Sequence, residues 1–283
     1  SDGSERFDTH FDLAVSYIEG GSAYYVHDHV SAAKKAAFVH VDYVQAGYTR
    51  RLDKDCYVDF DRIFAVSDET AGVLAGVYPE CQQKLSVFHN LIDTETIRQK
   101  ALLPAEKSMH EGIRLLTVGR LTPQKGFDCA VYALKLLLEK QYPVYWYIIG
   151  EGPEYGRLTQ LARSLHVEDH FIFLGMQTNP YPYFKMADFY IHATRFEGKS
   201  IAIQEAQVLG CAIAASDCSG NREQIVSGVD GLLCPFSPEG IANAVEYLIE
   251  HPQTAQSFGR AAAQKACHFE NDIHMIRDLL YSP

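Results

Sequence analysis

From Ile113 onward the chain repeats one pattern: a short apolar run, a polar or glycine-rich loop, then a helical stripe. Arg114 to Val118, Val144 to Ile149, Phe171 to Leu174, Phe189 to His192, Cys211 to Ala215 and Gly231 to Cys234 read as strands. Between them Phe127, Ala130, Val131, Leu134, Leu137 and Leu138 recur at the helical period. Leu158, Leu161, Ala162 and Leu165 do the same, as do Ile241, Ala244, Val245, Leu248 and Ile249. Strands that are apolar on both sides and alternate with helices cannot lie on one solvated face. They predict an α/β protein with parallel sheets covered on both faces.

The same alternation opens the chain. Phe11 to Ile18, Ala36 to Val41, Arg62 to Val66 and Lys84 to His89 read as strands. A helix is expected over Ser22 to Lys35, a mostly helical, tyrosine-rich stretch to about Phe60, and a helix capped by Ser67 and Asp68. The rhythm breaks after Asn90. The division predicted is a first domain over 1–93, a linker over 94–111, a second domain over 112–265 and a C-terminal helix over 266–283 that crosses back to the first domain.

The net charge of −11 argues against a nucleic-acid partner. A local basic group, Lys34, Lys35, Arg50, Arg51 and Lys54, reads as a solvated helix face, with a membrane-surface contact as the alternative. The seven cysteines, at 56, 81, 129, 211, 218, 234 and 267, show no metal-ribbon spacing and fit reduced, mostly buried thiols. No stretch reads as a signal peptide or as the roughly 20 apolar residues of a membrane span. The location expected is cytoplasmic, with peripheral contact at the inner face of a membrane.

Ligands of an open parallel sheet bind at the C-terminal ends of its strands, where the polar loops recur. The loop from Arg195 leads into a helix running to Gly210, with Glu197 before the helix and Glu205 on its second turn. At ~1.5 Å rise per residue the two carboxylates lie on the order of 10 Å apart, enough to bracket a ligand. Gly198, Lys199, Ser200 and Ile201 stand at the turn into the helix, with Ser200 placed to cap it. The N–H groups there suit a phosphate. The alternative is coincidence of two Glu in an acidic chain. A second loop, Gly119 to Gly126, carries Arg120 and Lys125, cations able to stabilise a departing diphosphate, or else ordinary surface charges. Gly150, Gly152 and Pro153 depart from G-x-G-x-x-G and read as a turn, plain or bordering a nucleotide pocket. His40 closes a strand of the first domain and either touches a sugar hydroxyl or is a hydrogen-bonded core histidine. No His, Cys and Asp cluster suggests a metal.

These stretches resemble the family-4 retaining glycosyltransferases of the GT-B fold. The residues that carry the resemblance are VGRLTPQKGFD from Val118, IIGEGPE from Ile148, FLGMQ from Phe173, FEGKSIAIQEAQVLG from Phe196 and SDCSGNREQIVSGVDGLL from Ser216. FDLAVSYIEG, FVHVDY, FDRIFAVSDE and VFHNLID are similar to the later part of that family's first domain. The resemblance implies two Rossmann-like parallel-sheet domains facing a cleft. It implies that Arg120 and Lys125 hold the donor diphosphate, Glu197 the donor sugar and Glu205 the ribose. Gly119 and the N–H groups near Ser200 and Ile201 would belong to the phosphate site. Gly150 to Pro153 with Met176 and Gln177 would border the base, and His40 would lie near the sugar. It also implies a nucleotide-diphosphate sugar as donor, a saccharide or lipid-linked acceptor, no metal or other cofactor, and a role in surface polysaccharide synthesis.

One departure from the family pattern is plain. The first domain is only about ninety residues where a complete one is nearer ~150, and the family's opening strands and their glycine-rich loop have no counterpart. A sheet edge is therefore expected to be exposed unless a partner chain, a second copy or the C-terminal helix covers it. Two rival readings follow, a donor-binding subunit that needs a partner chain and a GT-B epimerase or phosphorylase.

Overall fold

A computed structural model describes residues 9–266 and 272–281. It contains two compact units, Ser1–Leu91 with Glu270–Pro283, and Ile92–Phe269.

In the first unit four strands lie in chain order and all parallel: β1 (His10–Ser16), β2 (Ser31–Val39), β3 (Arg62–Ala65) and β4 (Leu85–Val87). They are joined by α1 (Gly21–His29), the short α2 (Arg50–Asp53), a 3-10 turn over Cys56–Asp59, and α3 (Asp68–Val77). Ser67 caps α3 by accepting the Thr70 N–H. The helix expected over Ser22 to Lys35 ends at His29, and Ser31 to Lys35 are strand. Pairing of His10 through Ser16 with Ser31 through Ala37 satisfies that backbone, which outweighs the helix preference of the Ala and Lys residues. Lys34 and Lys35 consequently lie on a strand rather than on a helix face, donating to the Leu279 and His27 carbonyls. The tyrosine-rich stretch is less helical than its composition suggests. It folds around buried Asp53, whose carboxylate accepts the hydroxyls of Tyr24 and Tyr43.

The opposite sheet face carries Ala36, Phe38, Phe64 and Phe88, with Phe38 and Phe88 edge to face at 5.0 Å. Leu279, Met275 and Ile276 from the last helix of the chain, Ile273–Tyr281, cover this face. Asp272, just before that helix, accepts from both the backbone N–H and Nδ1 of His89.

The second unit begins with α4 (Thr94–Lys100), inside the stretch expected to be a linker. Asp93 caps it, and Ile97 is buried with Val208 and Ala266. Six parallel strands follow: β5 (Ile113–Val118), β6 (Val144–Ile149), β7 (Phe171–Gly175), β8 (Phe189–His192), β9 (Ala212–Ser216) and β10 (Leu232–Cys234). Their order is β10-β9-β8-β5-β6-β7. The helices are α5 (Phe127–Glu139), α6 (Tyr155–Ser164), α7 (Tyr181–Met186), α8 (Ile201–Val208), α9 (Ser219–Arg222), α10 (Pro238–Glu250) and α11 (Pro252–Ala266). Alternate strand residues feed two cores. Leu115, Trp146, Ile148, Ile191 and Ala214 pack with α5, α10 and α11, while Leu116, Tyr147, Tyr190 and Ile213 pack with α7 and α8. That two-sided burial is why these strands read as continuous apolar runs.

Strand order reverses between β5 and β8, so the loops after those two strands flank the topological switch point, where an open α/β sheet leaves a crevice. Six cysteines are free, and Cys267 lies outside the described residues. Among the described residues no helix is long and apolar enough to cross a membrane.

Candidate active site

The two loops at the switch point are fastened to each other along their length. The Arg195 N–H donates to the Gln124 carbonyl at 2.8 Å, and the Thr194 hydroxyl reaches the same carbonyl at 3.1 Å. Gln124 Nε2 returns a bond to the Phe196 carbonyl at 3.0 Å. The Arg195 guanidinium forks onto both oxygens of Asp128, at 3.0 and 2.7 Å, and lies over the Phe236 ring. Gly126, at φ 63°, leaves no room for a side chain, because a Cβ would strike the Ala193 carbonyl and the Phe236 ring. At the next strand end, Ser216 Oγ accepts the Thr194 N–H at 3.0 Å, tying β9 into the same frame.

This frame sets Lys125 against Glu197. The ammonium ion-pairs with Glu197 Oε2, and His192 Nε2 stands 3.3 Å from the same oxygen. Glu197 is nearly enclosed, its side chain 10% exposed. Burial alone would raise its pKa, but the His192 hydrogen bond and the Lys125 charge outweigh it and hold the carboxyl down at about 2. Arg120, on the Lys125 loop, is exposed. A Cβ on Gly119 would stand in ordinary contact with the Lys125 stem, 3.7 Å from its Cδ.

The turn into α8 is shaped by close backbone contact. Gly220, in α9, lies so near the Glu197 and Gly198 carbonyls that a Cβ there would overlap both. Ser200 is buried at the N-cap position with extended geometry, but the expected cap bond is absent: its side chain accepts no hydrogen bond from the helix. Lys199 is half-buried beside it and Ile201 is exposed. One turn on, Glu205 Oε1 accepts the Tyr181 hydroxyl at 3.0 Å, and burial raises the Glu205 pKa despite that bond.

The glycine turn after β6 has a packing role that needs no ligand. A Cβ on Gly150 would overlap the Gly119 carbonyl, and one on Gly152 the Leu121 carbonyl. The turn therefore presses the β6 loop against the β5 loop, and Pro153 completes it in the exposed position before α6. Gly150, Gly152 and Tyr155 with Phe173, Leu174 and Gly175 line a cavity of about 500 Å³. Met176 is exposed just beyond it, and Gln177 turns back to bond the Leu174 carbonyl at 2.9 Å. His40 belongs to the first unit, following β2. Its backbone N–H donates to Glu19 Oε2 at 3.0 Å and its ring meets Tyr17 edge-on. Burial opposes ionisation of Glu19, but the His40 bonds prevail and lower its pKa.

The structure thus brings Lys125, Glu197 and the Gly198–Ile201 turn together, and places Glu205 on the same helix with a tyrosine partner. Residues of this arrangement that were not singled out from sequence include His192, Asp128 and Tyr181, and the bracing residues Gln124, Thr194 and Ser216. The signal available for His192 was an imidazole closing an otherwise apolar strand, five residues before Glu197.

Residues 98–265 match the family glycosyl transferases group 1, and the chain belongs to that family. Over 200 residues it is 30% identical to the N-acetylgalactosamine-N,N'-diacetylbacillosaminyl-diphospho-undecaprenol 4-alpha-N-acetylgalactosaminyltransferase of Campylobacter jejuni, a match covering 70% of this chain and 53% of that protein. The chain spans about half the length of the curated relatives it matches. Among solved structures it resembles sucrose-phosphate synthase from Thermosynechococcus elongatus, with a TM-score of 0.79 at 17% identity over 96% of this chain and 74% of that one. It also resembles Anabaena HepE in complex with UDP, with a TM-score of 0.73 at 19% identity over 88% and 72%. The two Rossmann-like parallel-sheet units are those of a GT-B glycosyltransferase.

Proposed function

We propose that this chain is a retaining glycosyltransferase that moves a sugar from a nucleotide-diphosphate donor to a saccharide or lipid-linked acceptor, in surface polysaccharide synthesis. The observation that carries the reading is the fastened pair of switch-point loops, which sets Lys125 and Glu197 together at the start of α8. The diphosphate lies at the α8 N-terminus, with Lys125 and the exposed Arg120 on its oxygens. Glu197 accepts hydrogen bonds from the donor sugar, and Glu205 accepts them from the ribose hydroxyls. The base lies against the Gly150–Pro153 turn with Met176 and Gln177. In the transfer the bond from the sugar C1 to the phosphate oxygen breaks. The acceptor oxygen bonds C1 on the same face, and its proton passes to the leaving phosphate. The charge on the diphosphate is met by the two cations and the helix N-terminus, so turnover proceeds without a divalent metal. The acceptor of the Campylobacter relative, an undecaprenol diphosphate by its name, supports a lipid-linked acceptor reached at a membrane surface.

The test is a thermal-shift panel with UDP, GDP, ADP, CMP and their sugars, followed by turnover with saccharide and undecaprenyl-diphosphate-linked acceptors. Ligand at 100 times its Kd stabilises by ~2.7 kcal/mol, worth roughly 2–4 °C per kcal/mol for a chain of this size. Donor consumption only in the presence of an acceptor is the expected result. Binding without any turnover favours a donor-binding subunit. Conversion of the donor without acceptor means an epimerase, and a requirement for inorganic phosphate means a phosphorylase.

A further inference from the structure

His192 is a buried titratable group to which the proposed reaction gives no task. It closes β8, is 2% exposed, and has a partner at each ring nitrogen. Nε2 lies 3.3 Å from Glu197 Oε2 and Nδ1 lies 3.2 Å from the Tyr190 hydroxyl. Complete burial drives the His192 pKa below its ordinary value, with the nearby Lys125 charge acting in the same direction, against the bond to Glu197. The ring is therefore neutral and carries a single N–H. Were that proton on Nδ1, the Nε2 lone pair would face a carboxylate oxygen. With the proton on Nε2, the ring donates to Glu197, and the Tyr190 O–H donates to the free lone pair of Nδ1 at 3.2 Å in preference to its other acceptor within reach, the Val118 carbonyl at 3.5 Å. Burial raises the Tyr190 pKa well above 10, so its hydroxyl stays protonated and can donate. Tyr190 thus selects the tautomer, and the tautomer aims a donor at Glu197.

Lys125 and His192 both address Glu197 Oε2. A donor diphosphate competes for Lys125, since phosphate oxygens offer the ammonium a stronger partner than one carboxylate oxygen. We propose that His192, as the neutral Nε2–H tautomer set by Tyr190, is the positioning residue that keeps Glu197 ionised and oriented while Lys125 is engaged by the diphosphate. This rests on the donor-site reading above. The charged and titratable groups around the carboxylate are Lys125 from the loop after β5, and His192 and Tyr190 from β8. Glu205 of α8 acts on Tyr190. Of these, only His192 and Tyr190 are buried in the sheet, out of reach of an arriving anion.

The experiment follows the Glu197 carboxyl directly. Glu-13Cδ NMR of the full chain, with the Glu197 signal assigned by its loss in Glu197→Gln, gives its titration with and without UDP. It is run on the unmodified chain, His192→Leu and His192→Gln. Leucine removes the donor, and the carboxyl should titrate at least about one pH unit higher, most clearly with UDP present. Glutamine restores an N–H near the Nε2 position and should return the titration toward that of the unmodified chain. Should the leucine variant fail to fold, imidazole 15N shifts of the unmodified chain and of Tyr190→Phe decide the matter. The Nε2–H form is expected in the first, with loss of its dominance in the second. A leucine variant that titrates like the unmodified chain overturns the proposal. So does a glutamine variant that behaves like leucine, or an Nδ1–H tautomer in the unmodified chain. Failure of UDP to bind the unmodified chain would count against the donor-site reading alone, because the UDP-free titration and the tautomer are read without it.

Discussion

Replacing Glu197 by Gln should remove a specific, pH-dependent part of the stability. The carboxyl is held at about 2 against an ordinary 4.5, chiefly by the His192 bond and the Lys125 charge overcoming burial. A depressed carboxyl pKa stabilises the native state above the unfolded value, and the contribution is lost as pH falls toward the folded one. It amounts to roughly 3 kcal/mol at neutral pH. Between pH 6 and pH 3 roughly 2 kcal/mol of it should disappear. The assay is urea unfolding of the unmodified chain and Glu197→Gln at half-unit steps from pH 6 to pH 3. The quantity read is the difference between the two, which cancels the titration of the groups not coupled to Glu197 and leaves that of Glu197 with its partner His192. That difference should shrink by roughly 2 kcal/mol in favour of the variant as pH falls. A difference independent of pH would refute the reasoning, because it would mean that Glu197 titrates alike in the folded and unfolded chains.

Other outcomes follow from the same geometry. Gly220→Ala forces a Cβ onto the Glu197 and Gly198 carbonyls; it should cost ~1–3 kcal/mol in urea unfolding and weaken nucleotide binding as well, since the turn into α8 must move. Asp128→Asn breaks the fork from Arg195, a partly exposed pair; stability should fall by only ~1 kcal/mol, measured by the same melts. Leu279→Ala opens the phenylalanine face of the first unit and should cost ~2–4 kcal/mol, read as loss of hydrogen-exchange protection in β2 and β3. Under the proposed function, EDTA should leave donor turnover unchanged; loss of turnover restored by Mg²⁺ or Mn²⁺ would contradict the metal-independent reading.

What could be read from sequence divides along a physical line. The six strands of the second unit were legible because helices cover both faces, leaving apolar runs with no competing period. The glycine-rich loops were legible as the ends of those strands. Ser31 to Lys35 was not, because Ala and Lys favour helix locally and only the pairing with β1 makes them strand. Short helices such as α7 and α9 carry too few turns to show a period. Glu197 and Lys125 were picked out by chemistry and resemblance, but their mutual ion pair joins residues 72 apart, and the Arg195–Asp128 fork joins residues 67 apart. Such pairings are set by strand order, which no local pattern states.

That strand order also explains why the frame around the site is built from hydrogen bonds rather than apolar packing. At the switch point the helices after β5 and β8 run to opposite faces of the sheet, α5 to one core and α8 to the other. Neither helix can hold both loops, so the loops must hold each other. Gln124, Thr194 and Arg195 supply that bracing through main-chain carbonyls, whose geometry is more restrictive than side-chain packing. The consequence is preorganisation: Lys125 and Glu197 are brought together by the backbone frame, so binding a charged ligand there requires little ordering of the chain. Bracing of this kind predicts a separation of effects. Changes to the bracing residues should reduce nucleotide affinity through misplacement even though they touch no ligand. Changes to His192 should leave the frame intact and alter only the charge state and aim of one carboxylate.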